Sequence, residues 1–132
     1  MGYGNTEVIL TGQQREALIQ SLLGQTVDIF VDRPIGYTHV TKGITLQYTI
    51  NYGYLPGVTG GDGEEQDVYV LGVDIPLKQF RGTIIGAIRR TDDNEDKLVA
   101  APVDMRFTAD AVRKATFFVE QYFNSTIQIM EE

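Results

Sequence analysis

A chain of 132 residues is long enough to form one domain with its own core, and we expect residues 1–132 to form such a single domain. Nucleic acids and anionic membrane surfaces are bound through clustered Lys and Arg, so a net charge of −7 argues against both as partners. The absence of cysteine excludes disulfides and thiolate metal sites and fits a reducing compartment, so we expect a cytoplasmic protein.

The first predicted element is a helix that begins after Thr11. Thr11 and Gln14 have the spacing of a capping box, and Gly24 can end the helix. Apolar pairs four residues apart share one face of it, Leu18 with Leu22 and Ile19 with Leu23. Before the helix, Met1–Thr6 fits the permissive pattern for N-myristoylation, but so few positions are constrained that we interpret it as an ordinary terminus.

Short strands make up most of the remaining chain. They are predicted at residues 26–31, 46–53, 67–72, 82–90, 97–102 and 125–130. The span 32–45 is predicted to be a loop because Pro34, Gly36 and Gly43 interrupt it. A second helix is predicted after Thr108, with a buried stripe formed by Val112, Ala115, Val119 and Tyr122. The pattern indicates an α+β, mainly β fold: a small, partly closed barrel with one or two covering helices.

Two acidic segments each lead directly into an apolar strand. The first contains Asp62, Glu64 and Asp67, and the second is the run 92–96, which precedes Lys97. Carboxylates this close repel one another unless a cation lies among them, and a hard divalent ion with oxygen ligands is such a cation. The second run, taken alone, is more typical of a solvated hairpin turn, with Arg89 and Arg90 as structural counter-charges. It does not fit a calcium loop, because Lys97 occupies the position that requires glycine.

Aromatic residues provide a further candidate site. Tyr48, Tyr52 and Tyr54 alternate along one predicted strand and therefore share a face. A buried Tyr hydroxyl needs a hydrogen-bond partner, and for Tyr52 a bound phosphate is one candidate. His39, the single histidine, lies in the predicted loop and is interpreted as a surface residue rather than a ligand.

Three motifs in this order resemble the soluble, single-domain, magnesium-dependent inorganic pyrophosphatases. They are Asn51–Tyr54, then Asp62–Val68 in the place of an Asp-x-Asp-Pro-x-Asp-Val motif, then Lys97–Pro102 after an acidic turn. The resemblance covers roughly residues 26–123. It implies a five-stranded, oligonucleotide-binding-like barrel with flanking helices. It also implies hydrolysis of pyrophosphate to two phosphates with Mg²⁺ as cofactor and Mn²⁺ as the alternative, and we expect a homo-oligomer.

The resemblance assigns roles residue by residue. Asp67 resembles the carboxylate shared by two metal ions at the nucleophilic water, while Tyr52 and Lys97 resemble donors to phosphate oxygens. Further metal ligands are implied at Asp62, at Asp92 and at either Glu95 or Asp96. Alternation along a strand would place Glu95 on the same face as Lys97, whereas keeping an Asp next to the Lys would favour Asp96. Both alternatives remain open.

Several positions depart from the family pattern. The middle aspartate of the second motif is Glu64, which keeps the charge but alters the geometry of a metal ligand or general base. The early Lys-x-Glu pair has no counterpart at Asp28 and Phe30, and the lysine expected after Tyr122 is Phe123. The resemblance also implies that Tyr122 binds phosphate, and the family's phosphate-binding arginine has two candidate replacements, Arg33 and Lys42. These losses support an alternative function, a catalytically impaired member that binds a phosphate ligand or serves as an assembly partner.

The substitution Lys97→Met tests these roles at one residue. If Lys97 donates to a phosphate oxygen, stability should change by only about 0.5 kcal/mol, as for a surface substitution, while binding or turnover should weaken by about 1.5–3 kcal/mol. If Lys97 is merely an ion-pair partner of the acidic turn, the melting temperature should fall while the activity of each folded molecule stays level.

Overall fold

The computed structural model describes residues 9–130, and the segment Met1–Thr6 lies outside this range. Within it, ten elements follow one another along the chain. They are α1 (Gly12–Leu22), β1 (Thr26–Arg33), β2 (Thr38–Thr41), β3 (Ile44–Gln47), β4 (Asn51–Thr59), β5 (Glu65–Val70), β6 (Gln79–Arg90), β7 (Lys97–Ala101), α2 (Ala109–Glu120) and β8 (Ser125–Ile129).

Five of the strands close into a barrel. They follow the order β1-β4-β5-β7-β6, and β6 returns to pair with β1. The β5–β7 pair is parallel and the other pairs in the barrel are antiparallel. β8 adds to the outer edge of β6, and β2 and β3 form a separate hairpin. The predicted α+β, mainly β fold with a five-stranded barrel and flanking helices is therefore confirmed.

Two apolar clusters lie on the two faces of the barrel sheet. One cluster contains residues from all five barrel strands and therefore fills the barrel interior. Ile19 of α1 also belongs to it. Its strand members include Ile29, Leu55, Val68, Ile84 and Leu98. The other lies on the outer face, where Tyr69 and Val99 pack with Val112 and Val119 of α2. Alternate residues of β5 and β7 thus contribute to opposite clusters, as the two-residue period of a strand requires.

Both helices begin at the predicted residues. The Thr11 side chain accepts a hydrogen bond from the Gln14 amide (3.1 Å), and the Gln14 side chain accepts one from the Thr11 amide (2.9 Å). Thr108 caps α2 through the Ala111 amide (3.1 Å). Within residues 9–130, neither helix is long and apolar enough to cross a membrane.

The predicted stripe of α2 is wrong at its last member. Tyr122 is 50% exposed, because α2 ends at Glu120 and the chain turns before Tyr122. The buried face is instead completed by two polar residues, Thr116 and Glu120. A sequence pattern that counts only apolar residues cannot detect these two positions.

The predicted loop 32–45 is also wrong, because it contains β2 and the first half of β3. Lys42 and Gly43 both have positive φ, at 50° and 75°, and form the two-residue turn that joins the hairpin. The glycine that we interpreted as an interruption is therefore the turn of a hairpin. The predicted strand 46–53 is divided, since β3 ends at Gln47 and β4 begins at Asn51, so Tyr48 and Tyr52 lie on different segments.

Candidate functional site

A cleft of about 490 Å³ opens on the outer face of the barrel, beside the β2–β3 hairpin and the end of α2. Its polar lining contains four cationic side chains and two carboxylates, namely Arg33, Lys42, Arg90, Lys97, Asp67 and Glu95, together with His39 and Thr41. Its aromatic lining consists of Tyr48, Tyr52, Tyr69, Tyr122 and Phe123. Most of the residues predicted to bind phosphate are therefore gathered here.

Asn51 fixes the start of β4 beneath the cleft. Its side chain is fully buried, and its amide oxygen accepts hydrogen bonds from the amides of Ile35 (3.2 Å) and Leu77 (3.1 Å). Its amide nitrogen donates to the Ile75 carbonyl (2.9 Å). Asn51 thus joins the β1–β2 and β5–β6 connections, and this structural role places the next residue, Tyr52, in the cleft.

Lys97 and Asp67 meet because their strands are parallel neighbours. Val68 pairs with Leu98, so the residues that precede them, Asp67 and Lys97, also lie side by side. Lys97 Nζ donates to Asp67 Oδ2 at 2.7 Å and to Tyr52 Oη at 2.9 Å, and it lies 3.5 Å from Glu95 Oε2. Lys97 is only 4% exposed, so the expectation that it behaves as a surface residue is wrong. Its ammonium is enclosed by the groups that it neutralises.

Tyr52 carries a protonated hydroxyl into the cleft. Burial, and secondarily the negative charge of Asp67, raise the pKa of the Tyr52 phenol well above its ordinary value of 10.0. Its ring packs against Tyr48 and Tyr69, with ring centres 5.5 and 5.0 Å away. Its oxygen accepts a hydrogen bond from Lys97, and its hydroxyl is also hydrogen-bonded to Asp67.

The β2–β3 hairpin and the end of β1 supply further cations. Arg33 donates to Tyr48 Oη at 2.7 Å, and its guanidinium lies 5.6 and 5.4 Å from the ring centres of Tyr48 and Tyr52. Burial, aided by the charge of Arg33, lowers the pKa of His39 below its ordinary value. The sequence analysis did not identify His39 as a cleft residue because it did not predict the hairpin. The dipeptide Lys42-Gly43 between β-branched residues could have indicated the hairpin turn.

Arg90 forms a buried ionic network at one side of the cleft. Its side chain is 3% exposed and donates to Glu120 Oε1 (3.1 Å) and Oε2 (2.8 Å). Its remaining terminal nitrogen donates to Asp93 (3.3 Å) and Glu95 (3.2 Å), and its guanidinium lies 3.6 Å from the centre of the Phe123 ring. The counter-charge role predicted for Arg90 agrees with these contacts. Glu120, which completes the network, gave no signal in the sequence beyond its position at the end of a helix.

The open choice between Glu95 and Asp96 is settled as a matter of position. Glu95 lines the cleft beside Lys97. Asp96 is buried on the other side and receives two hydrogen bonds from Arg15 of α1, at 2.8 and 2.7 Å. Strand alternation therefore predicted which of the two side chains faces the cleft, and the metal-ligand role of either residue stays a prediction.

Three other predicted residues lie outside the cleft. Asp62 accepts a hydrogen bond from the Glu64 amide (3.0 Å) and lines a shallow depression together with Asp67, Glu95 and Asp96. Glu64 is exposed and lines neither the cleft nor this depression. Asp92 is exposed and accepts a hydrogen bond from the Asn124 amide (2.9 Å).

The acidic side chains in this arrangement do not fit a divalent metal ion. Nowhere in residues 9–130 do three or more His, Asp or Glu side chains come together closely enough to hold one. Most carboxylates predicted as ligands already have cationic partners: Asp67 has Lys97, Glu95 has Arg90 and Lys97, and Asp96 has Arg15. A metal ion would have to displace these cations before it could bind.

Known proteins with similar sequences are named inorganic pyrophosphatases. Those of Xanthomonas campestris and Ralstonia nicotianae are 31% and 33% identical over 90 and 89 residues, which are 63% and 61% of this chain. The matched segments make up 45% and 49% of those relatives. The chain therefore spans about half the length of the curated relatives that it matches.

Solved structures share the fold. The inorganic pyrophosphatase of Ehrlichia chaffeensis matches with a TM-score of 0.61 and 17% identity, covering 81% of this chain and 87% of that one. That of Coxiella burnetii matches with a TM-score of 0.59 and 17% identity, covering 83% and 88%. The family model for inorganic pyrophosphatase matches residues 24–128, which is most of the chain. The resemblance carried by the three motifs is thereby confirmed, and the chain belongs to the inorganic pyrophosphatase family.

Proposed function

We propose that the cleft binds inorganic pyrophosphate, or a related small phosphoanhydride, and hydrolyses it to two phosphates. The observation that carries this proposal is the convergence of Lys97, Tyr52 and Asp67 within hydrogen-bonding distance at the wall of a cleft lined by further cations. The names of the sequence relatives support the same substrate.

Each group has a role that its surroundings favour. Lys97 and Arg33 stabilise negative charge on phosphate oxygens, and the protonated Tyr52 hydroxyl donates to one of them. Asp67, whose side chain is 30% exposed, is positioned to accept a proton from an attacking water. Lys97 holds the Asp67 carboxylate in place through a 2.7 Å contact.

The decisive experiment measures phosphate release from pyrophosphate by the wild type and by Asp67→Asn. The variant keeps the shape of the side chain but removes the base, so we expect kcat to fall on the order of a hundredfold or more. Asp74→Asn, which changes an exposed aspartate outside the cleft, is the matched control and should retain wild-type turnover. Equal rates for the wild type and Asp67→Asn would rule out hydrolysis by this mechanism.

Magnesium dependence, with manganese as the alternative, forms part of the proposal because the resemblance implies it. The assay should therefore be run with each metal and with a chelator. Because Asp67 and Glu95 are bound to Lys97 and Arg90, the geometry and the resemblance differ on this point.

A second candidate function is binding of a phosphate ligand without hydrolysis. The observation that favours it is that both cleft carboxylates, Asp67 and Glu95, are already paired with cations, so an attacking water would have to compete with those cations for the carboxylate oxygens. Pyrophosphate binding measured by calorimetry, with no phosphate released by the same preparation, would establish this alternative.

We further propose that residues 1–132 form one domain that assembles as a homo-oligomer in the cytoplasm. The cysteine-free composition supports the compartment. Light scattering of the purified chain would measure the assembly, and a monomer at all concentrations would contradict it.

A further inference from the structure

We infer that Arg90 and Lys97 supply, as fixed cations, the positive charge that a divalent metal would otherwise provide, so that this cleft binds phosphate groups without metal. The inference rests on the proposed function of the cleft as a phosphate site. It concerns the source of the charge rather than the identity of the substrate.

The charge around the cleft is opposite to the charge of the whole chain. The chain carries a net charge of −7, yet four cationic side chains and two carboxylates line the cleft. Arg90 and Lys97 are paired with carboxylates, so the positive charge that an entering anion meets comes from Arg33 and Lys42. A local potential of this kind attracts anionic ligands to an acidic protein.

Arg90 is a permanent charge held at a fixed position. Its guanidinium remains protonated under all ordinary conditions, and its side chain is 3% exposed. Two hydrogen bonds to Glu120 orient it, and the Tyr69 hydroxyl in turn donates to Glu120 at 2.7 Å. The remaining terminal nitrogen is directed at Glu95 and Asp93 in the acidic turn.

Lys97 neutralises the other cleft carboxylate and shares Glu95 with Arg90. Its ammonium lies 2.7 Å from Asp67 and 3.5 Å from Glu95. A metal ion that bound Asp67 would separate the buried Lys97 ammonium from its nearest carboxylate, which is unfavourable. The acidic groups of the cleft are thus matched to side-chain cations and not to a metal ion.

Two further cations are placed to contact the ligand itself. Within residues 9–130, Arg33 donates one hydrogen bond, to Tyr48, which leaves most of its five N–H groups for a ligand. Lys42 is exposed on the hairpin turn at the edge of the cleft. Arg90 therefore only neutralises carboxylates, whereas Arg33 and Lys42 bind phosphate oxygens. Lys97 does both, since it pairs with Asp67 and also lines the cleft.

The test is calorimetric titration of inorganic phosphate and of pyrophosphate into the wild type, in EDTA and in magnesium. Orthophosphate is included because it chelates magnesium only weakly. Comparing it with pyrophosphate distinguishes an effect of magnesium bound to the ligand from an effect of magnesium bound to the protein. We expect binding in EDTA at an affinity equal to that in magnesium. Binding seen only in magnesium would overturn the inference and leave the proposed function intact.

Substitutions of single cationic residues test which of them contribute to phosphate binding. Arg90→Gln should weaken binding in EDTA by about tenfold or more, because it leaves Glu95 and Glu120 as unneutralised negative charges near the anion. Wild-type affinity in a folded Arg90→Gln variant would overturn the inference. If Arg90→Gln fails to fold by circular dichroism, Arg33→Gln tests the same site from a half-buried position and should show a similar loss. Wild-type affinity in the Arg33→Gln variant would overturn the assignment.

The remaining outcomes separate the two proposals. Binding in EDTA without phosphate release would support the inference and refute hydrolysis. No binding of either probe in either condition would refute both.

Discussion

Lys97 shows how one buried side chain changes the interpretation of a motif. Its position before an apolar strand resembles that of a phosphate donor. In the structure it also holds Asp67, Glu95 and Tyr52 together, and it is 4% exposed. Substitutions at Lys97 will therefore affect folding and binding together.

We predict that Lys97→Met destabilises the protein by about 2–3 kcal/mol. This loss of stability is smaller than the roughly 3–5 kcal/mol expected for breaking a fully buried ion pair. Asp67 is 30% exposed, so water partly solvates its carboxylate once Lys97 is removed. Thermal denaturation would measure the loss. Lys78→Met, at an exposed lysine, is the control and should change stability by less than about 0.5 kcal/mol. Equal shifts in Tm for the two variants would contradict the buried role of Lys97.

At the scale of the elements, the approach of β4 to β1 decides where Tyr52 lies. Gly53 pairs with Val31, and a Cβ atom added at Gly53 would lie 1.8 Å from the Phe30 carbonyl oxygen. The obstacle is backbone, which cannot move as a flexible side chain can. The glycine of the Asn-Tyr-Gly-Tyr segment is therefore required by the pairing of these two strands.

We predict that Gly53→Ala costs about 3 kcal/mol or more, because the strands must separate to admit the methyl group. Urea denaturation would measure the change. Gly12→Ala is the control: it lies in the first turn of α1, nothing lies within 4 Å of an added Cβ, and it should be neutral or slightly stabilising. If both variants unfold at the same urea concentration, the close approach of β1 and β4 does not limit position 53.

At the scale of the whole molecule, a buried network of side-chain hydrogen bonds connects α2 to the barrel. Tyr69 of β5 donates to Glu120 of α2, and Glu120 accepts from Arg90 of β6. Burial, and then the charge of Glu120, raise the pKa of the Tyr69 phenol well above 10.0. The folded protein therefore keeps this phenol protonated at pH values where the unfolded chain ionises it.

This difference predicts a loss of stability in alkali. Below about pH 10 both states hold the proton, so Tyr69 makes no pH-dependent contribution there. Above it the unfolded state releases the proton and the folded state does not, so stability falls by about 1.4 kcal/mol per pH unit from this residue. Tyr69→Phe should remove that part of the slope when denaturation is compared between about pH 9 and about pH 11. An unchanged slope would show that Tyr69 ionises equally in both states.

Local sequence determined the elements and the chemical types of the site residues. The caps at Thr11 and Thr108 were predictable because a hydroxyl satisfies a helix amide within three residues. The three motifs indicated the barrel and the family, and strand alternation pointed to Glu95 rather than Asp96. The hairpin was missed because its polar turn, Lys42-Gly43, was interpreted only as an interruption.

Tertiary structure alone decided which charges meet. Asp67 and Lys97 are neighbours because β5 and β7, which are not consecutive in the chain, pair in parallel. Arg90 reaches Glu120, and Arg15 reaches Asp96, across 30 and 81 residues. The sequence shows acidic turns that carry unpaired negative charge and therefore indicates a metal site. Folding brings cations from distant segments to those carboxylates, because a buried charge without a partner is too unfavourable to persist.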